Sequence, residues 1–198
     1  MVLDQKIQIP YPKIIAAATD SAGVIVMEKF TSFLEGEWID TYYEMIQHDP
    51  SITKVEDQGF TYLFDHASTS SNTTDDRLVV GYGRSISNGQ KRNSSRMQGF
   101  LGGGIDIPGK GKFDKGHLLA HSMGGGLDVN LFPQRPELNQ GRSAAGRTYR
   151  QMERYASSEP GTLVFSRLIY CDTTWVPSSL EFGLLRKDGV IWVEWFEN

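Results

Sequence analysis

Apolar and polar positions alternate most regularly in the middle and last thirds of the chain. Phe60, Tyr62 and Phe64 alternate within GFTYLFDH (59–66), the period of a half-buried strand. RLVVGYGRSI (77–86) gives a second strand, separated from the first by the polar loop ASTSSNTTDD and closed by the turn signal SNG (87–89). Three further β-rich runs follow: TLVFSRLIY (162–170), SLEFGLLR (179–186) and VIWVEWF (190–196). Lys187-Asp188-Gly189 joins the last two as a hairpin, with Asp-Gly as the turn signal.

Helical spacing is confined to fewer places. EWIDTYYEMIQ (37–47) sets Trp38, Tyr42 and Met45 on one helical face, and Pro50 stops it. Residues 14–34 fit either regular structure: AAAT favours helix, GVIV favours strand, and FTSFL suits both. Residues 1–13 are expected to form an extended lead in which Pro10 and Pro12 bar a helix. Residues 90–113 are polar, basic and glycine-rich, which predicts a long loop, and loops of that length in a domain are usually functional. No internal repeat is visible. The pattern predicts an α+β fold, an antiparallel sheet with a distinct segment inserted against it.

At 198 residues the chain is long enough for one domain with a substantial core. Its 39% hydrophobic and 22% charged content is ordinary for a globular protein. No apolar run approaches the ~18 residues of a membrane span. MVLDQKIQIPYPK lacks the charged-then-apolar layout of a secretory signal, so a cytoplasmic protein, or one exported by a signal-independent route, is expected. The single cysteine, Cys171, excludes an intrachain disulfide framework and a cysteine-rich zinc site. The net charge of −4 hides an asymmetry. Residues 1–80 hold 5 Lys/Arg against 13 Asp/Glu, residues 81–155 hold 12 against 5, and residues 156–198 hold 3 against 6. A basic middle between acidic flanks is where a phosphate backbone would be met.

The inserted segment is Asp114 to Glu153, DKGHLLAHSMGGGLDVNLFPQRPELNQGRSAAGRTYRQME. It holds His117 and His121, a glycine triplet at 124–126, Asn130 and Asn139 beside turn or helix-start positions, and several arginines. Phe132, Pro133 and Leu138 are read as packing. The other histidines, His48 and His66, are expected on the surface or at a strand end. AHSMGG (120–125) resembles a nucleophile elbow, which would make Ser122 the nucleophile of a serine esterase. All four histidines precede Ser122, however, so the downstream base of such a triad is missing. His117 and His121 at i, i+4 lack the glutamate of HExxH and a third ligand, which argues against a zinc site.

DKGH (114–117), GG (124–125), NLFPQ (130–134), LNQG (138–141) and YRQME (149–153) resemble, in order, the motifs of the DNA/RNA non-specific endonucleases, especially their bacterial toxin-type branch. The resemblance spans roughly residues 80–190 and leaves the first 75 residues unmatched. It implies a ββα-metal finger set into the antiparallel sheet with a long basic loop nearby. It implies an Mg²⁺-dependent, sugar-non-specific endonuclease of DNA or RNA, with Mn²⁺ as a substitute, giving 5′-phosphate and 3′-hydroxyl products. By the same resemblance His117 is the general base and Asn139 the metal ligand. Asp114 and Asn130 support them, and Arg92 meets a phosphate. Arg142, Arg147 and Arg150 are expected to bind the nucleic acid. Lys115 stands where the family has arginine, and supplies charge without the bidentate fork. Glu153 follows Asn139 at a longer interval than the family's glutamate, and is expected to act near the site. Residues 1–76 are then an acidic part, packed with the core or apart from it, read as serving delivery or partner binding, and 77–198 the nuclease domain. Resemblance to toxin domains also implies a secreted effector and a dedicated inhibitor or immunity protein. The competing expectation is a decayed nucleic-acid-binding module, of which Lys115 and the displaced Glu153 would be the first signs.

Overall fold

The computed structural model of the chain describes residues 8–87, 105–107 and 109–198. Two helices, α1 (Tyr11–Ala18) and α2 (Met27–Met45), precede three strands, β1 (Ile52–Asp57), β2 (Phe60–Asp65) and β3 (Arg77–Arg84). A middle region carries β4 (Ile105–Ile107), β5 (Gly111–His117), β6 (Leu131–Gln134), α3 (Pro136–Asn139) and α4 (Ala144–Ser158). The chain then returns to strands β7 (Leu163–Ile169), β8 (Ser179–Leu185) and β9 (Ile191–Glu197). Strands β1-β2-β3-β7-β8-β9 form one antiparallel sheet in that order, and β4-β5-β6 form a second. The α+β class expected from the hydrophobic pattern is the class observed.

The alternating runs became strands where they were expected, and the hairpin at Lys187–Gly189 closes with Arg186 N donating to the Val190 carbonyl at 3.0 Å. Gly189 supplies the left-handed backbone of that turn at φ +79°. The N-terminal reading needs correction in two places. Helix α1 starts at Tyr11, two residues before the end of the expected extended lead, with a proline in its first turn. Pro12 removes only an N–H that has no partner inside a helix anyway, so it starts the helix and does not block it. Helix α2 begins ten residues before the segment read as helical, because Phe30, Leu34, Trp38 and Tyr42 recur every four residues and are all buried. Trp38 lies 5.3 Å from the Phe165 ring and 5.5 Å from Tyr82, which seats α2 on β3 and β7.

The expected domain boundary between residues 76 and 77 falls between two paired strands, since β2 and β3 run in register from Phe60↔Gly83 to Asp65↔Arg77. The residues on either side share one hydrophobic core. The expected loop over 90–113 is likewise shorter at its end. Ile105–Ile107 pairs with Gly111–Phe113 as a hairpin, while 88–104 lie outside the described residues. His66 stands at the end of β2 as expected, but the His48 side chain is buried, with Nε2 2.6 Å from the Asp65 carboxylate. Among the described residues no helix is long and apolar enough to cross a membrane.

Candidate active site

The middle region is organised by β5 and β6, which pair from Asp114↔Gln134 to His117↔Leu131. The connection between them returns on itself through the fully buried Asn130. Its Oδ1 accepts from Leu119 N at 2.8 Å, and its Nδ2 donates to the carbonyls of Leu119 and Gly126, both at 2.8 Å. Leu118 N also donates to the Asn130 carbonyl at 2.8 Å. One side chain thereby satisfies the backbone of a buried loop that forms no ladder of its own. The glycine triplet fits the same turn by closeness: a Cβ on Gly125 would sit 1.9 Å from the Leu119 carbonyl oxygen, and one on Gly126 would sit 2.0 Å from Asp57 Oδ2. Gly125 is required by the backbone it faces, whereas Gly126 faces only the ends of the Asp57 and Gln58 side chains. Phe132, Pro133 and Leu138 are buried, as read.

Between Asn139 and Glu153 one helix ends and a second begins. Helix α3 ends at Asn139; Gly141 turns the chain at φ +69°, and Ser143 caps α4 by accepting from Gly146 N at 2.9 Å. A Cβ on Gly146 would meet the Glu137 carbonyl at 2.4 Å, so the two helices touch at that point. The buried face of α4 carries Tyr149, Met152, Glu153 and Ala156. Tyr149 is wedged 5.3 Å from Phe182 and 5.2 Å from Phe196, and its hydroxyl donates to the His117 carbonyl at 3.4 Å. Burial pushes the Tyr149 hydroxyl well above the usual tyrosine range, and the nearby Glu153 carboxylate adds to the effect. Tyr149 is therefore a neutral donor that ties α4 to the end of β5.

Asp114, three residues before His117 on β5, accepts at one oxygen from the Asn139 amide at 2.8 Å and from the Gln140 amide at 2.7 Å. His117 and Glu153 are both mostly withdrawn from solvent, at 6% and 8% exposure. Arg150 Nη1 lies 3.4 Å from the Glu153 carboxylate. A cleft of about 360 Å³ opens along α4, lined by Ser122, Gln140, Arg147, Arg150, Glu153 and Arg154 among others. Thus Glu153, Arg147 and Arg150 border one cavity, while Asn139 is joined to it in sequence through Gln140. Lys115 is half-buried beside His117 and opposite Pro133. Arg142 is exposed in the turn before α4 and does not line the cleft, and Arg92 lies outside the described residues. Gln140 and Arg154 were not anticipated. The i, i+3, i+7 spacing of Arg147, Arg150 and Arg154 carried the signal for the second of them.

Ser122 is on a short 3₁₀ turn (His121–Met123) and its hydroxyl accepts from Ser157 at 2.9 Å, an arrangement unlike the strand-to-helix elbow an esterase requires. Among the described residues no group of three or more His, Cys, Asp or Glu is placed to hold a metal ion. The donor set around Asn139 suits a different kind of cation. Its amide nitrogen is used by Asp114, and its Oδ1 accepts no hydrogen bond among the described residues. A neutral amide oxygen beside a carboxylate matches a hard ion that keeps most of its waters, such as Mg²⁺.

No family model matches the chain, and no curated protein matches it. A solved structure described as Sda1 nuclease with bound zinc ion is similar to it at 16% identity and a TM-score of 0.39, over 76% of this chain and 75% of that one.

Proposed function

We infer that the protein hydrolyses phosphodiester bonds in DNA or RNA without reading sequence, using His117 as general base and Asn139 as ligand to a divalent cation. The observation that carries this reading is the Asp114–Asn139 contact: a carboxylate on the strand of His117 holds the Asn139 amide by its nitrogen, leaving the oxygen for a cation. When bound, Mg²⁺ or Mn²⁺ supplies charge neutralisation at the scissile phosphate and the departing oxygen. His117 takes a proton from the attacking water, since imidazole accepts protons near neutral pH. The water oxygen bonds to phosphorus and the P–O3′ bond breaks, so that the phosphate stays on the 5′ end and the 3′ oxygen gains a proton. Arg147, Arg150 and Arg154 hold flanking phosphates along the cleft. Glu153 orients Arg150 from the buried side of α4.

Digestion of supercoiled plasmid and total RNA with Mg²⁺, Mn²⁺, Zn²⁺ or EDTA tests the reading. Metal-dependent degradation that is lost in His117→Ala and Asn139→Ala supports it, and the substrate consumed separates DNase from RNase. Intact substrates under every metal, with retained nucleic-acid binding, would replace it with the binding-module reading.

A further inference from the structure

Away from β5 and α4, a second cavity of about 320 Å³ lies where β2 ends, β3 begins and β7 ends. Its lining includes Arg77, His48, Ser71, Thr73, Thr74 and Thr173. Arg77 is 3% exposed, yet its guanidinium makes no ion pair among the described residues. Its contacts are the Asp172 carbonyl oxygen, to which Nη2 donates, and the face of Tyr170, 4.7 Å from the ring centroid. Its Nε is buried without a hydrogen-bond partner. Asp65, cross-strand from Arg77, and Asp172, whose carbonyl Arg77 meets, direct the hydrogen bonds of their carboxylates to other groups. Asp65 accepts from Tyr42 at 2.7 Å and from Ser51 N at 2.8 Å, and meets His48 at 2.6 Å. Asp172 is taken by Lys110 and Thr174. A buried guanidinium N–H left without an acceptor is costly, and such groups are normally hydrogen-bonded.

We propose that this cavity is a binding site for a phosphate group, free or carried by a small molecule, with Arg77 as its counter-charge. The guanidinium presents a planar set of donors that suits a tetrahedral oxyanion. The hydroxyls of Ser71, Thr73 and Thr74 lie at its rim, Ser71 3.2 Å from Thr73 and 3.0 Å from Thr74, each able to turn a proton toward an anion. The volume exceeds what a phosphate group alone would fill and falls at the lower end of small-ligand sites, leaving room for the group that carries the phosphate. The site owes nothing to the nuclease reading, since none of its residues lines the α4 cleft.

Isothermal titration calorimetry of the full chain with inorganic phosphate and with adenosine monophosphate, at matched ionic strength, tests it. Saturable binding is expected for at least one of them; tighter binding of the nucleotide identifies a carried phosphate, and equal binding a free one. Arg77→Gln is expected to weaken binding by at least about tenfold and Thr73→Val by several-fold, in proportion to the lost charged and neutral hydrogen bonds. Arg150→Gln removes any phosphate held in the other cleft and leaves the Arg77-dependent component unchanged. Should Arg77→Gln fail to fold, Thr73→Val decides, because Thr73 is exposed at the rim. Absence of saturable binding to about 10 mM of either probe, a range in which even weak sites fill, overturns the proposal. So does binding that Arg150→Gln removes and Thr73→Val does not.

Discussion

The amide nitrogens of Asn139 and Gln140 converge on one carboxylate oxygen of Asp114, at 2.8 and 2.7 Å. The pair Asp114–Asn139 thereby fixes which end of the Asn139 amide faces the carboxylate. If Asn139 holds a cation through Oδ1, Asp114 sets that orientation, and partners of this kind are typically worth about 10–100-fold in metal affinity or activity. Asp114→Ala is expected to raise the Mg²⁺ concentration for half-maximal cleavage by that factor while leaving thermal unfolding within a few degrees. Metal titrations of the cleavage rate and of the protein's thermal stability check it; an unchanged Mg²⁺ dependence would show that the contact is structural.

Asn130 is expected to behave differently from Asn139 although both belong to the motif set. Its amide is spent on Leu119 N, Leu119 O and Gly126 O in a fully buried loop. Asn130→Ala leaves three buried backbone groups without partners, at about 1–3 kcal/mol each before relaxation. A loss of at least about 3 kcal/mol in urea unfolding is predicted. Asn130→Asp keeps the acceptor for Leu119 N and loses both donated bonds, so it is not expected to rescue.

Two glycines make a paired test of backbone against packing. Gly36 sits inside α2 with open space where a Cβ would go, and Gly36→Ala is expected to stabilise by about 1 kcal/mol through helix propensity. Gly125→Ala forces a Cβ to 1.9 Å from the Leu119 carbonyl oxygen and is expected to destabilise by about 2 kcal/mol or more. Denaturant midpoints of the two variants should move in opposite directions.

Five strands of the main sheet were legible as short β-rich runs bounded by turn signals, although β7 and β8 are buried along their whole length and show no alternation of burial. Strand β1 was not read, because Ile52 and Val55 are its only apolar residues. Helix α2 was only half legible. The spacing of Phe30 and Leu34 continues into Trp38 and Tyr42, but Gly36 and the threonine between them break the window in which the eye looks for a helix. Strand β4 was hidden because Ile105 and Ile107 are its only apolar residues and glycines surround them. Around the candidate site, DKGH and LNQG could be read directly. The Asp114–Asn139 contact could not, since it spans 25 residues and depends on where α3 ends. The interval from Asn139 to Glu153 was visible as a count, whereas its physical form, a turn at Gly141 followed by a Ser143 cap, emerges only with the fold.

Buried tyrosines give the protein a defined alkaline limit. Burial raises the hydroxyl pKa values of Tyr11, Tyr42, Tyr62, Tyr149 and Tyr170 above the ordinary value of 10.0, helped at Tyr11 by Glu181, at Tyr42 by Asp65, at Tyr62 by Asp57, and at Tyr149 by Glu153. Above pH 10 the unfolded chain loses these protons while the folded chain keeps them. The folded state then binds more protons than the unfolded one, so stability falls as pH rises. The stabilisation is fully present below pH 10 and declines above it, by about 1.4 kcal/mol per pH unit for each such tyrosine. Urea midpoints are therefore predicted to fall steeply above about pH 10. Tyr62→Phe keeps the buried ring and removes one titrating group, so its midpoint should fall less steeply by one tyrosine's share. A wild-type midpoint that stays level through the same range would mean that these hydroxyls ionise within the folded state.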